Sequence, residues 1–267
     1  MAPFRLAWAT DIHLEFCETP VIDAFLASVA AATPDAVVIT GDIGTARNIV
    51  DVLARIDRAL SCPVYFVLGN HDLYHGSIEG VREAVERQAH EATRLSWLTK
   101  TGVRQLTTTT ALIGVDGWSD GRFGDYARSN VMLSDYLVIQ DLSYLEPDER
   151  LRSLQRLADA EAALLAGYLR DAVAGHTRIV VATHVPPFAD AAWHEGQRSD
   201  DNWLPHFSSK ATGDVLLAAA ERHPDREFLV LCGHTHGGGT IDVLPNLRVI
   251  TGPAVYGAPS LQHVFEL

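Results

Sequence analysis

Short apolar runs rich in β-branched residues punctuate the chain: FRLAWAT (4–10), AVVIT (36–40), VYFVL (64–68), ALIGV (111–115), RIVVAT (178–183), FLVLC (228–232) and LRVIT (247–251). Each has the length of a buried strand and gives way to polar residues or glycine. The closing run SLQHVFEL (260–267) reads as a last strand. Between the runs, apolar residues recur at helical spacing, as in PVIDAFLASVAAA (20–32) and NIVDVLARIDRAL (48–60). The longest such segment, 147–175, opens on Pro147 and Asp148, which suit a first helical turn, and ends on Gly175, which suits a stop. Strands alternating with helices predict an α/β fold with helices covering sheet.

Two segments break the alternation. Residues 116–136 are rich in glycine, aromatic and charged side chains, and residues 185–213 open on two prolines. Loops this long in a compact domain are usually functional or mobile, and both are expected to wall a substrate cleft.

The polar residues fall where the apolar runs end. The first run leads to Asp11 and His13, the second to Gly41 and Asp42, the third to Gly69, Asn70, His71 and Asp72. The run at 178–183 leads to His184, and the run at 228–232 to Gly233, His234 and His236. Ligands of α/β sheets bind beyond the carboxyl ends of strands, so five segments are expected to bring carboxylate, amide and imidazole groups to one sheet edge. Residues two apart on extended backbone face the same side, which pairs Asp11 with His13 and His234 with His236. Glycines at 41, 69 and 233 suit tight turns or a close approach to a ligand. Oxygen and nitrogen donors without thiolate suit Mn, Fe or Zn in an open site and not a closed structural zinc site. A lone D-x-H or G-D in an acidic chain is a solvated turn, and a lone His184 is a core histidine; the ordered set at strand ends is what points to metal.

Composition narrows the partners. With 267 residues and 47% hydrophobic residues, and no linker-like stretch, the chain is expected to form one domain over 1–267. The formal net charge of −13 repels a phosphate backbone, so no nucleic-acid duplex is expected as partner. No apolar run approaches the ~20 residues needed to span a bilayer, and no basic amphipathic helix suggests a membrane surface. Cys17, Cys62 and Cys232 form no CxxC pair, and the segment MAPFRLAWATDIH is too polar for a signal sequence. A cytoplasmic protein is expected.

The ordered set resembles the calcineurin-like metallophosphoesterase superfamily, within it the compact bacterial cyclic-nucleotide phosphodiesterase type. The pattern is D-x-H, G-D, G-N-H-[DE], a lone H and G-H-x-H, here Asp11-Ile-His13, Gly41-Asp42, Gly69-Asn70-His71-Asp72, His184 and Gly233-His234-Thr235-His236. The resemblance implies a four-layer α/β/β/α sandwich of two mixed β-sheets flanked by helices. It also implies two metal ions, one held by Asp11, His13 and His236, the other by Asn70, His184 and His234, with Asp42 bridging. Two ions ~3.5–4 Å apart can share a hydroxide that attacks phosphorus. His71 is then left to protonate the leaving oxygen or to stabilise phosphoryl charge, with Asp72 orienting its ring.

Departures from other branches narrow the reaction. Protein phosphatases of this superfamily follow the bridging Asp with an Asp-Arg-Gly stretch, whereas Asp42 precedes IGTARN. Purple acid phosphatases place Tyr three residues after it, where this chain has Thr45. Lipid-precursor hydrolases replace the His of G-N-H-D by Arg, whereas His71 is kept. A small-molecule phosphodiester is the expected substrate, and a phosphomonoester the alternative; a dianionic monoester would draw on a loop cation such as Arg122, Arg128 or Arg198. Trp118, Phe123, Tyr126, Trp193 and Trp203 are available to stack a base or to fill core. His75, His194 and His206 are further candidates for substrate contact. A non-catalytic scaffold is the third reading, weakened by the completeness of the ligand set.

Overall fold

The computed structural model describes residues 2–267. The first half of the chain runs β1 (Arg5–Ala9), α1 (Thr19–Ala31), β2 (Ala36–Thr40), α2 (Ile49–Ala59), β3 (Val64–Val67), α3 (Ile78–Glu91), β4 (Leu95–Trp97), α4 (Leu98–Thr101), β5 (Arg104–Gln105), β6 (Thr110–Gly114) and α5 (Asp135–Val138). The second half runs α6 (Pro147–Gly175), β7 (Arg178–Ala182), β8 (Trp193–His194), β9 (Gln197–Arg198), α7 (Leu204–Phe207), α8 (Lys210–Arg222), β10 (Glu227–Cys232), β11 (Gly239–Leu244), β12 (Leu247–Thr251) and β13 (Leu261–Glu266).

Two mixed sheets stack face to face. One has the order β13-β1-β2-β3-β4 and the other β11-β12-β10-β7-β6-β5, while β8 and β9 form a separate hairpin. Neighbours are parallel except where β13, β11 and β5 add at edges. Side chains alternate across a strand, so one sequence run feeds two cores. Leu6, Trp8 and Val38 meet Leu112, Val180 and Leu231 between the sheets. Ala7, Ala9, Val37 and Ile39 face α1 and α2 on the other side. Ile179, Val181 and Val230 likewise face α6 and α8. Helix, sheet, sheet, helix is the four-layer architecture that the sequence resemblance implied. No helix among the described residues is long and apolar enough to cross a membrane, and Cys17, Cys62 and Cys232 are all free thiols.

Local chemistry explains the helix starts. Pro20 and Pro147 sit in the first turns of α1 and α6, where a missing N–H is harmless. Ser77 caps α3 and Ser209 caps α8, each accepting a backbone N–H of the first turn. The 185–213 segment is less irregular than its sequence suggests: it holds the β8–β9 hairpin and α7, and α8 begins inside it at Lys210.

The parallel registers align the strand ends. Ala9 lies beside Ile39 and Thr40 beside Val67 in one sheet; Gly114 lies beside Ala182 and Ala182 beside Leu231 in the other. The loops leaving these strands therefore emerge together at one edge of the sandwich.

Candidate metal centre

Backbone hydrogen bonds lock those loops to one another. The Asp11 N–H donates to Gly41 O (3.1 Å), that of His13 to Asp42 O (2.9 Å) and that of Gly233 to His184 O (2.9 Å). Across the sheets, the His234 N–H donates to the Asp11 carboxylate at 2.9 Å. A Cβ on Gly233 would overlap that carboxylate, and a Cβ on Gly69 would overlap the Asp42 carboxylate, so both positions require glycine for close approach.

All seven candidate ligands converge. The donor atoms of Asp11, His13, Asp42 and His236 lie within 4.8 Å of one another. Nε2 of His13 is 2.9 Å from Nε2 of His236 and 3.6 Å from Oδ2 of Asp42. On the other side of Asp42, Nε2 of His184 is 3.4 Å from its Oδ1. Oδ1 of Asn70 is 2.9 Å from both His184 Nε2 and His234 Nδ1. Asp42 thus lies between two clusters.

The outward nitrogens of three rings are fixed by acceptors. His13 Nδ1 faces Glu15 Oε1 (3.2 Å), His184 Nδ1 faces Thr40 O (2.9 Å) and His234 Nε2 faces His206 O (3.0 Å). Assigned by this network, each ring donates outward and turns a lone pair inward. The Asn70 amide is oriented the same way: Nδ2 donates to Asp135 Oδ1 at 2.8 Å, which leaves Oδ1 inward. This donor set fits two hard or borderline divalent ions, one between Asp11, His13, Asp42 and His236, the other between Asp42, Asn70, His184 and His234.

Charge follows the packing. Burial disfavours the Asp42 carboxylate, but His184, His71 and His13 outweigh it and hold the carboxyl well below its ordinary range. Burial likewise opposes charge on His184 and His71, and Asp42 overrides it, raising them to about 10 and about 9. Burial lowers His236, and burial with the neighbouring His184 lowers His234 to about 3. A metal in the second cluster would require His184 in its neutral form, with the proton on the Nδ1 that faces Thr40 O.

The open side is a cleft of about 790 Å³ whose lining includes Asp42, Asn70, His71, His234 and His236. His71 stacks on Tyr74 with ring centroids 4.1 Å apart, and its N–H donates to Asp42 Oδ1 at 2.9 Å. Both irregular segments reach the cleft: 116–136 through Leu133, Ser134 and Asp135, and 185–213 through His194 and Phe207.

Several expectations change. No hydrogen bond joins Asp72 to His71 among the described residues. The fully buried Asp72 carboxylate instead accepts the N–H groups of Ile43, Gly44 and Gly69, each at 2.8 Å, because it points beneath the loop and not along it. Burial and the adjacent Asp42 push its carboxyl up to about 8, while the Gly69 and Gly44 amides pull the other way. The loop arginines are spent elsewhere: Arg122 pairs with Asp120 and Asp159, Arg128 with Asp125 and Arg198 with Asp190. The arginine that lines the cleft is Arg47. Trp118 is core, and Trp203 stacks on Phe207. His75 and His194 line the cleft, whereas His206 is buried and serves through its carbonyl.

Sequence reasoning missed Glu15, Asp135, Tyr74, Phe16 and Tyr256. Glu15 continues the two-residue spacing of Asp11 and His13, which was a usable signal. Phe16 and Tyr256 are more than half exposed and meet edge to face at 4.9 Å over the mouth of the site, with Tyr256 4.6 Å from His13. Nothing local marks a residue so far along the chain.

The family model described as calcineurin-like phosphoesterase matches residues 4–238, which contain all seven candidate ligands. The chain belongs to this family. No curated protein matches it by sequence. Among solved structures, it is similar to the phosphopantetheinyl hydrolase PptH from Mycobacterium tuberculosis, with TM-score 0.65 and 14% identity over 97% of this chain and 96% of that one. It is also similar to a dimetal phosphatase from Danio rerio, with TM-score 0.59 and 14% identity over 96% and 89%. A putative 5'-nucleotidase from Staphylococcus aureus gives TM-score 0.54 at 13% identity over 98% of this chain and 53% of that one. At these identities the likeness shows a shared fold. As a calcineurin-like phosphoesterase, the chain carries an Asp/His cluster able to bind metal at the edge where its strands end.

Proposed function

We propose that the protein hydrolyses a phosphodiester of a small molecule at two metal ions. One ion is assigned to Asp11, His13 and His236, the other to Asn70, His184 and His234, with Asp42 shared. The observation that carries this reading is the inward-facing donor set, with three rings held by outward hydrogen bonds to Glu15, Thr40 O and His206 O. When bound, such ions supply Lewis acidity at phosphoryl oxygens and activate a water as nucleophile.

The chain's own groups do the rest. Asp135 and Tyr74 hold Asn70 so that its amide oxygen stays inward. His71, fixed on Tyr74 and through its N–H on Asp42, is assigned the proton that the leaving oxygen takes up. Asp72 ties the loops carrying Asp42 and Asn70 to each other and so sets the separation of the two clusters.

Electrostatics favour a diester over a monoester. Glu15 and Asp135 line the cleft as well as Asp42, and Arg47 is its one arginine. A monoanionic diester suits that wall better than a dianion. The exposed Arg47 favours the monoester as second reading. We place the protein in the cytoplasm and take Mn, Fe or Zn as its ions; fractionation and elemental analysis of protein from its native cells test these points. The reaction is tested on the Mn-reconstituted protein with bis-p-nitrophenyl phosphate, p-nitrophenyl phosphate and cyclic nucleotides. A higher kcat/KM for diesters is expected; a preference for the monoester overturns the reading. Turnover of no ester by fully metallated protein would favour a scaffold.

A further inference from the structure

Glu15 sits where the catalytic and metal-binding parts of the site meet. Its Oε1 is 3.2 Å from Nδ1 of His13 and 3.3 Å from Nδ1 of His71, and its side chain is only 10% exposed. The two rings it touches lie edge to face, 4.5 Å apart. One oxygen has two lone pairs, so it can accept both N–H groups at once. With both Nδ1 atoms donating, His13 presents Nε2 to the ligand cluster and His71 keeps Nε2 free of protein partners.

The backbone makes this arrangement stiff. Glu15 lies on a single 3₁₀ turn, Leu14–Phe16, that follows His13 in the left-handed region at φ 42°. The turn is closed by the Phe16 N–H to His13 O at 3.0 Å and tied to the next loop by the Leu14 N–H to Ile43 O at 3.0 Å. Glu15 is the one carboxylate within hydrogen-bond distance of the His71 ring among the described residues, and Asp72, next to it in sequence, is consumed by three amides.

We propose that Glu15 is a positioning residue that orients His13 and His71 together through one carboxylate oxygen. Its kinetic consequence rests on the hydrolytic reading above; its consequence for metal binding does not. Removing Glu15 releases the His13 ring to rotate away from the cluster and frees His71 to present either nitrogen to the leaving oxygen.

The experiment compares Glu15→Ala, Glu15→Gln, His71→Ala and the Glu15→Ala/His71→Ala pair. Each is examined by Mn²⁺ titration followed by electron paramagnetic resonance, and by kcat at saturating Mn²⁺ on a p-nitrophenyl and an alkyl diester. Glu15→Ala is expected to weaken Mn²⁺ binding by about 10- to 100-fold. Its kcat on the alkyl diester should fall about 10-fold or more, and on the p-nitrophenyl diester no more than about 3-fold, because only the poor leaving group needs the proton. Glu15→Gln, whose amide oxygen can accept the same two N–H groups, is expected to recover most of the metal affinity. Adding Glu15→Ala to His71→Ala should create no further bias between substrates.

Wild-type Mn²⁺ affinity in Glu15→Ala together with equal losses on both esters overturns the proposal. So does a further bias, as large as that of Glu15→Ala alone, when Glu15→Ala is added to His71→Ala, or a third Mn²⁺ in the wild type that Glu15→Ala alone removes. If His71→Ala itself shows no bias, the proton assignment under the proposed reaction fails. The affinity of Glu15→Ala then still decides whether His13 is positioned.

Discussion

Replacing Asp72 by Asn should weaken the fold and not merely slow the reaction. Oδ1 accepts two N–H groups, from Ile43 and Gly44, and Oδ2 accepts a third, from Gly69. An Asn can keep two of these on its single oxygen, but its amide then turns two N–H donors toward the N–H of Gly69. The Gly69 N–H left without an acceptor costs about 1–3 kcal/mol, once relaxation of the loop lets water take the two new amide donors. Asp72→Ala orphans all three amides and should cost roughly 3–5 kcal/mol, short of strict additivity because the loop can relax. For 267 residues, the usual unfolding entropy per residue makes 1 kcal/mol worth about 2 °C, so the Asn variant should melt ~2–6 °C lower and the Ala variant ~6–10 °C lower. Calorimetry on chelator-treated protein above about pH 8, where the Asp72 carboxyl is charged, is the right assay, since ion loss then contributes nothing. An Asp72→Asn protein that melts with the wild type, yet shows the leaving-group bias of His71→Ala, would falsify this account. It would restore Asp72 as the group that orients His71.

Three further outcomes follow from the same geometry. Asp42 lies within 3.6 Å of His13 and 3.4 Å of His184, between both clusters, so Asp42→Ala should lose both ions on Mn supplementation while His13→Ala retains one; two ions per chain in Asp42→Ala sink the bridging assignment. Glu161 is fully buried beside Arg82, and burial with the nearby Asp116 raises its carboxyl from 4.5 to about 7. A raised folded value means stability present at low pH and lost as pH rises through 7, by up to about 3 kcal/mol for this group. Glu161→Gln should flatten that slope in urea titrations from pH 5 to 8, and an unchanged slope counts against it. At His236, whose φ is 58°, metal-free His236→Gly should be more stable than His236→Ala by about 1 kcal/mol. The same pair at His184, which has no positive φ, should reverse order, and the same order at both sites removes strain as the cause.

The sequence was most legible where one residue type has one plausible job. Buried parallel strands read as continuous β-branched runs, and their polar ends marked the edge where ligands collect. That is why Asp11, Asp42, Asn70, His184 and His234 fall together in space despite their separation in sequence. The sequence was least legible where a residue acts through direction. Asp72 follows His71 immediately, which suggested a partner, yet the 3₁₀ turn at 71–73 sends its carboxylate under the loop. Glu15 has no such adjacency to His71, and 56 positions separate them. Arg122, Arg128 and Arg198 were cations in the right segments, but acids close by in the fold neutralise each of them. Helix α3 was missed because its mean hydropathy is low and its apolar face narrow: Ile78, Val81 and Val85 carry its burial.

What ties the site into one unit is backbone strain. Asp11, His13, Asp42, His234 and His236 all have positive φ, between 42° and 71°. L-residues avoid this region, and each such residue costs of order 1–3 kcal/mol. Five together approach the whole stability of an ordinary domain. The arrangement persists because other bonds over-determine it: the crossed amide–carbonyl pairs of 11 with 41 and 13 with 42, the Asp11 carboxylate on the His234 N–H, and the buried Asp72 on three amides. Each left-handed residue turns the chain sharply at a strand end, so that a side chain which would have continued the strand's alternation points across the edge instead. The glycines at 69 and 233 then permit the approach that follows. Ion binding acts on this strained frame as a ligand of the native state alone, adding stability that grows with the logarithm of free ion. The same few bonds therefore hold both the fold and the candidate site, and Asp72 belongs to that frame through its three amide contacts.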